Sequence, residues 1–111
     1  MNCIFCNIIN QNNKKNWIFE NETCCCFPDI NPKAPVHLLL IPKIHINSLQ
    51  DIKNNNIEFI NNIFLSIPKI TEKLGIRSYR LVANTGENAG QSVMHLHFHI
   101  LGGRKFDWPP G

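Results

Sequence analysis

Between residues 54 and 74 the apolar positions recur at helical spacing, and on both sides of that stretch they alternate or run together as strands do. Ile57, Ile60, Phe64, Ile67 and Leu74 fall on one helical stripe, widened by Ile63 and Ile70. Pro68 lies inside it and predicts a kink or a split, because proline lacks the N–H and clashes one turn back. Gly75 supplies a C-terminal stop. Near the start, Ile4, Phe5, Ile8 and Ile9 predict a short amphipathic helix, followed by the polar run 10–16. Strands are predicted at Trp17–Glu20 and Thr23–Phe27 around an Asn21-Glu22 turn, at Tyr79–Ala83, and at Val93–Leu101. Pro28, Pro32 and Pro35 mark a loop before Val36–Ile41, an apolar run suited to a buried central strand. The pattern describes an α+β fold in which an antiparallel sheet of about five strands carries one long and one short helix, with residues 1–111 as one domain.

The last strand carries the chemistry. In an extended chain His95, His97 and His99 line one face, and Met94, Leu96, Phe98 and Ile100 the other. The three rings would then stand roughly 6–7 Å apart, close enough to share one substrate or one metal. Imidazole serves as nucleophile, general base, general acid and metal ligand near neutral pH. A single strand histidine is ordinarily structural; three in register are hard to explain by packing.

Composition narrows the class. The apolar fraction of 43% is ordinary for a folded domain, and a formal charge of +3 mildly favours a phosphorylated small molecule. The charge is too scattered for nucleic-acid binding, which needs a basic stripe or a recognition motif. Five cysteines, three of them consecutive at Cys24, Cys25 and Cys26, do not suit a disulfide framework, since adjacent cysteines in a strand face alternately. Without a signal-like start or a long apolar run, the expectation is a cytoplasmic protein with no membrane partner.

Upstream of the histidines runs Asn84-Thr85-Gly86-Glu87-Asn88-Ala89-Gly90-Gln91-Ser92. Its glycines let backbone N–H groups turn toward an anion, and Ser92 adds a hydroxyl. It is no P-loop, because the Gly-Lys-Ser/Thr ending is missing. Beside three histidines, it reads as a place to hold a phosphate.

His95-Leu96-His97-Phe98-His99-Ile100-Leu101 resembles the His-x-His-x-His-x-x signature of the histidine triad (HIT) superfamily. Cys3-Ile4-Phe5-Cys6-Asn7-Ile8-Ile9, Asp29-Ile30-Asn31-Pro32, Pro35-Val36-His37, Ile41-Pro42-Lys43 with His45, and Gly90-Gln91-Ser92-Val93 extend the resemblance. Leu101-Gly102-Gly103-Arg104 and Trp108-Pro109-Pro110-Gly111 resemble the ending of its nucleotide-binding (Hint) branch. The resemblance implies a purine-nucleotide-binding hydrolase that cleaves the P–N bond of nucleoside 5′-phosphoramidates, and some acyl-nucleotides. It gives His97 the nucleophile's role, sets His99 on the phosphate oxygens and His37 near the leaving group, with Ser92 or a protonated histidine to supply a proton. Asp29 would take the ribose hydroxyls and Ile30 the base, while Asn84, Gly90, Gln91 and Ser92 would hold the phosphate.

Imidazole chemistry agrees with that assignment. Imidazole, with a pKa near ~6.5, attacks phosphorus without an activating base, but needs a hydrogen bond on its other nitrogen to fix the tautomer. No carboxylate lies in the histidine strand, so a backbone carbonyl is the expected acceptor. An ionised Asp29 can accept both ribose hydroxyl protons.

Cys3-x-x-Cys6 has the spacing of half a zinc site. The resemblance to bacterial-type HIT proteins implies completion by His45 and His95, giving a closed structural Zn2+ site. It also implies that the Trp108 tail reaches a partner subunit's active site, in a homodimer whose two sheets join. Pro28 stands where relatives carry other residues beside the ribose aspartate, and Phe106 and Asp107 also depart. A nucleotide-binding regulatory module with incidental hydrolysis, and a zinc-dependent hydrolase using the triad as ligands, are the competing readings.

Overall fold

The computed structural model describes residues 3–111. In chain order it forms α1 (Ile4–Asn10), β1 (Phe19–Glu20), β2 (Cys24–Pro28), β3 (Val36–Pro42), α2 (Ile57–Leu74), β4 (Tyr79–Val82) and β5 (Phe98–Gly102), with single 3-10 turns at Leu49–Asp51 and Glu87–Ala89. The sheet order is β1-β2-β3-β5-β4, and every neighbouring pair is antiparallel. The dense apolar run is the central strand, as its pattern predicts, and β1 and β4 are the edges.

Alternation distributes the sheet's side chains between two layers. Cys24, Cys26, Leu38, Leu40, Phe98 and Ile100 pack with Ile60, Ile63, Ile67 and Ile70 of α2. Cys25, Phe27, Leu39 and Ile41 emerge on the opposite face and pack with Cys3 and Phe5 at α1. The consecutive cysteines are therefore core residues shared between the two faces, each fully buried. Burial pushes the thiols of Cys25 and Cys26 up to about 12. These are inert apolar fillers.

Several boundaries differ from the sequence expectation. Helix α2 starts at Ile57 rather than Asn54, because the Asn56 side chain folds back, accepting from the Lys53 N–H (2.7 Å) and donating to the Asp51 carbonyl (3.0 Å). Pro68 does not split the helix, which runs unbroken through it to Leu74. Pro68 faces solvent, so water can satisfy the Phe64 carbonyl that proline leaves without a donor. The buried stripe is centred on Ile63 and Ile70, whereas Phe64 and Leu74 lie at its exposed margin. Complete burial of each such isoleucine contributes about 1.5–3 kcal/mol. The Trp17–Glu20 strand shrinks to Phe19–Glu20, since the Trp17 N–H closes a turn on the Lys14 carbonyl. Ladder pairing ends at Val82 and Pro42 where Ala83 and Ile41 were expected.

The largest correction concerns the histidines. Strand β5 begins at Phe98, so His95 and His97 precede the ladder rather than belonging to it. Pro42, near the point where that ladder would continue, has no N–H to offer, and its carbonyl accepts instead from His95 Nε2 (3.0 Å). The main chain is held there by a single bond from the Leu96 N–H to the Ile46 carbonyl. Met94 is half exposed and not part of the apolar face. Among the described residues no helix is long and apolar enough to cross a membrane.

Candidate functional site

The triad separates into two environments. His97 and His99 are edge-to-face with ring centroids 5.1 Å apart, and His99 lies 5.1 Å from His37 on the adjacent strand β3. His95 points away from them into a pocket formed by Cys3, Cys6 and His45. One stretch of five residues thus supplies two different centres.

Hydrogen bonds fix the tautomers in the first centre. Nδ1 of His97 lies 2.7 Å from the His95 carbonyl, which can only accept, so Nδ1 carries the proton and Nε2 keeps its lone pair. The backbone acceptor expected for this ring is the one found. Nδ1 of His37 accepts from the Lys33 N–H (3.0 Å), so the neutral ring is protonated at Nε2. That Nε2–H donates to Nδ1 of His99 at 2.9 Å, with Asp29 Oδ2 farther off at 3.4 Å. His99 in turn carries its proton on Nε2. Burial holds His37 below its ordinary value against the opposing carboxylate of Asp29. Burial, then the neighbouring His97 and His37, lowers His99. With His37 neutral, its contact with Asp29 is a polar contact and not an ion pair. The chain Lys33–His37–His99 therefore ends in a donor, and His97 ends in an acceptor.

Both rings line a cleft of about 220 Å³ between α1 and the sheet. Its wall is apolar, built from Ile4, Phe5 and Ile8 of α1 with Phe27, Leu39 and Val93. Asp29, Ser92, His97 and His99 supply the polar groups, and Pro28 and Ile30 form a rim. Ile30 is 90% exposed, a conspicuous position for an isoleucine. Asp29 Oδ1 accepts from the Asn31 N–H (2.8 Å), and its backbone N–H bonds the His37 carbonyl (2.9 Å), which fixes the carboxylate at the cleft. A larger depression of about 320 Å³ over His45, Asp51 and Lys53 contains neither His97 nor His99.

The loop 84–92 is braced from within. Gln91 is buried, its Oε1 accepts from the Gly86 N–H (2.9 Å), and its Nε2 donates to the carbonyls of Asn47 (2.7 Å) and Val93 (3.1 Å). Its backbone N–H closes on the Gly86 carbonyl, so Gln91 shapes the loop while the exposed Ser92 reaches the cleft. Gly90, at φ +101°, ends the 3-10 turn against the Asn84 amide. Trp108 is 81% exposed and does not line this cleft, its ring lying instead beside the Arg80 guanidinium.

Hydrophobic periodicity marked Ile4, Phe5, Ile8, Phe27 and Leu39 as core residues only. Phe5 in particular makes T-shaped contacts with both His95 (5.8 Å) and His97 (5.1 Å), joining the two centres. The signal for it was its place inside the Cys3-x-x-Cys6 segment, which ties α1 to the histidines.

In the second centre the four donor atoms lie within 4.8 Å of one another. Cys3 Sγ is 3.4 Å from His95 Nδ1, and Cys6 Sγ is 3.4 Å from His45 Nδ1 and 3.6 Å from His95 Nδ1. His95 Nε2–H is anchored on Pro42 and His45 Nε2–H on Asn47 Oδ1 (2.7 Å), so both Nδ1 lone pairs face the thiols. A tetrahedral ion with ordinary M–S and M–N bonds sets sulfur and nitrogen about 3.6 Å apart. The donor set fits such an ion in both spacing and tautomer, with anchoring of the kind that orients metal ligands.

Comparison with known proteins agrees with this geometry. Residues 2–106 match the family described as "Scavenger mRNA decapping enzyme C-term binding". A HIT-like protein of Synechocystis sp. is 42% identical over 109 residues, covering 97% of this chain and 96% of its own. The crystal structure of a HIT family hydrolase from Legionella pneumophila superposes with a TM-score of 0.92 at 41% identity, covering 99% of this chain and all of that one. A histidine triad nucleotide-binding protein from Candida albicans gives a TM-score of 0.80 at 30% identity, over 97% and 83% of the two chains. By its sheet, its paired histidines and these relatives, the chain belongs to the histidine triad superfamily.

Proposed function

We propose that the protein hydrolyses the P–N bond of purine nucleoside 5′-phosphoramidates through a nucleotidyl-His97 intermediate. The observation that carries this reading is the 2.7 Å bond from His97 Nδ1–H to the His95 carbonyl, which leaves Nε2 unprotonated beside the cleft. His97 Nε2 attacks the α-phosphorus as the P–N bond breaks, and the departing amine takes a proton. Neutral His99, whose proton the Lys33–His37 chain places on Nε2, donates a hydrogen bond to a phosphate oxygen, and the proton for the amine comes from a protonated histidine of the cleft or from Ser92. Water then breaks the phosphorus–imidazole bond and releases the nucleoside 5′-monophosphate. Asp29 receives the ribose hydroxyls, and Ile30 with the apolar wall receives the base. Ser92, Asn84 and the backbone around Gly90 hold the phosphate oxygens, with Gln91 keeping that loop in shape. The hydrolase and nucleotide-binding descriptions of the Legionella and Candida relatives support the same class of reaction.

Zn2+ is the ion that Cys3, Cys6, His45 and His95 suit best, since two thiolates and two imidazoles match its preferences. Bound there it supplies a structural tie between α1 and the sheet. Four protein ligands leave no open position for water, which argues against hydrolysis by an ion at this site. A homodimer joined through the edge strand β4 would bring the Trp108 tail toward the partner's cleft.

The test is steady-state hydrolysis of adenosine 5′-phosphoramidate by wild type and His97→Ala, with metal assayed in both. The expected result is a loss on the order of 10³-fold or more, with fold and metal content unchanged. Comparable rates would remove His97 as nucleophile and favour a binding module. A rate that falls with chelation and returns with zinc, in protein that stays folded, would favour the metallohydrolase.

A further inference from the structure

The five cysteines fall into two classes. Cys24, Cys25 and Cys26 are wholly buried in the sheet, out of reach of a dissolved reagent. Cys3 and Cys6 stand together at the start of α1 as free thiols, their sulfurs within 4.8 Å of one another. Helical geometry sets Cα atoms three residues apart about 5 Å from one another, inside the range of about 4.4–6.8 Å that a disulfide spans.

The surroundings suit this pair to thiol chemistry as well as to an ion. Cys3 Sγ accepts from the Cys6 N–H (3.4 Å), a contact that favours the thiolate. Nδ1 of His95 lies 3.4 Å from Cys3 Sγ, and Nδ1 of His45 lies 3.4 Å from Cys6 Sγ. Each thiol therefore has an imidazole lone pair in reach to take its proton. Access comes from a depression of about 290 Å³ that Cys3 and His45 line with Asn47 and Met94. Ile4, Ser92 and Val93 line both this depression and the histidine cleft. Phe5, between the two cysteines in sequence, contacts the His97 ring at 5.1 Å.

We propose that Cys3 and Cys6 close a reversible disulfide that excludes the metal and shifts Phe5 against His97, coupling the cleft to the thiol redox state of its surroundings. The oxidant is a low-molecular-weight disulfide, RS–SR. The Cys3 thiolate, at the depression, attacks one of its sulfurs, the S–S bond breaks, and the departing RS⁻ takes up a proton. The Cys6 thiolate then attacks the Cys3 sulfur of the mixed disulfide and expels the second RS⁻, which is protonated in turn. Two protein thiols are oxidised and one RS–SR is reduced to two RSH. A disulfide sulfur carries no charge with which to hold a metal, so ion and bridge exclude each other. Bond formation draws the sulfurs to about 2.05 Å and pulls on the turn that carries Phe5. The consequence for turnover rests on the nucleotide-hydrolase reading above, whereas the bridge itself does not.

The experiment treats zinc-loaded and chelator-stripped wild type with glutathione disulfide, then denatures, alkylates and weighs each sample. Stripped protein should lose two of its five alkylatable thiols, peptide mapping should find the Cys3–Cys6 bridge, and dithiothreitol should restore all five. Zinc at about 100 times its dissociation constant should slow this about 100-fold, because mainly the metal-free form reacts. One zinc should reach a colorimetric chelator for each bridge formed. Cys6→Ser should stop at one glutathionyl group on Cys3, and in wild type oxidation should shift the His97 ring signals in the NMR spectrum. All five thiols retained in stripped protein that stays folded, equal oxidation with and without zinc, an unreactive Cys6→Ser, or unmoved His97 signals would overturn the proposal. Should stripping unfold the chain, the loaded protein decides: a bridge formed with zinc retained, or zinc lost without a bridge, overturns it. Hydrolysis of adenosine 5′-phosphoramidate should fall on the order of 10- to 100-fold on oxidation, the scale of a slight misplacement of reacting groups, and equal rates would remove the coupling to the cleft. A bridge and a shifted His97 with no turnover in either redox state would fail the hydrolase reading alone.

Discussion

His95 and His97 are two residues apart, yet one belongs to a sulfur-rich pocket and the other to an open cleft. His95 is wholly buried, anchors Nε2 on Pro42 and turns Nδ1 to two thiols. His97 anchors the other nitrogen, Nδ1, on the carbonyl of residue 95 and leaves Nε2 facing the cleft. Which nitrogen is tied decides what each ring can do. The anchored tautomer leaves His95 a lone pair facing the thiols, as a metal ligand would need, and leaves His97 one on the opposite edge, as the proposed nucleophile would need. The centres are also coupled, because the His97 tautomer depends on the backbone carbonyl of His95 and Phe5 touches both rings.

The sharpest way to break the comparison is His95→Ala. It leaves a cavity beside Phe5 and strips the Pro42 carbonyl of its donor, at a cost of about 2–5 kcal/mol. Zinc stoichiometry should collapse and the denaturant midpoint should fall, whereas His99→Ala should keep both and lose rate. Equal metal content in wild type and His95→Ala, measured on folded protein, would dissolve the division between the two centres.

Gly103→Ala probes the support of the cleft side at long range. Gly103 has φ +88°, and an added Cβ would meet Pro35 Cβ at 2.8 Å. The left-handed backbone alone costs about 1–2 kcal/mol, and the contact adds to it by pressing on the loop whose Lys33 N–H holds His37. Lower kcat at unchanged zinc content is expected. Gly86→Ala has open space around its Cβ, but φ +89° with ψ 154° is a backbone region essentially confined to glycine, so its cost of about 1–3 kcal/mol is backbone strain alone. Equal loss of stability from both substitutions would show that the Pro35 contact yields easily.

The smallest effect is in the pH dependence of stability. His37, His95 and His99 are all depressed in the folded state, chiefly by burial. The unfolded chain therefore binds more protons below the ordinary histidine value near ~6.5, and stability present above that pH is lost as pH falls through it. Denaturant midpoints of metal-free protein between pH 7.5 and 5.5 should decline steadily, and loading the metal should steepen the decline, because Cys3, Cys6, His45 and His95 then take up protons only by releasing it. A flat profile in metal-free protein would mean that these rings protonate as readily folded as unfolded.

Much of the fold was written in local pattern. The dense run at Val36, the 3.6-residue period of α2 and the alternation of Leu96, Phe98 and Ile100 all survive in the structure, because each encodes which side must leave water. The split that Pro68 predicts is absent, because sequence shows the missing N–H but not that the freed carbonyl lies on the solvent side. The histidine strand is shorter than its alternation predicts for a related reason. Alternation persists through His95 and His97, but ladder pairing depends on a partner strand, and near Pro42 a side chain takes the carbonyl that a backbone N–H would have used.

By itself, then, the sequence determined the layers and the identity of the chemical groups. These follow from hydrophobic period and side-chain chemistry, which are local properties. Only the tertiary structure decided which nitrogen of each imidazole is free, that Gln91 braces its loop from inside, and that the Lys15 ammonium stays unpaired while Lys14 is engaged. Those outcomes depend on carbonyls, thiols and rings brought together from distant parts of the chain, and no spacing within a segment encodes them.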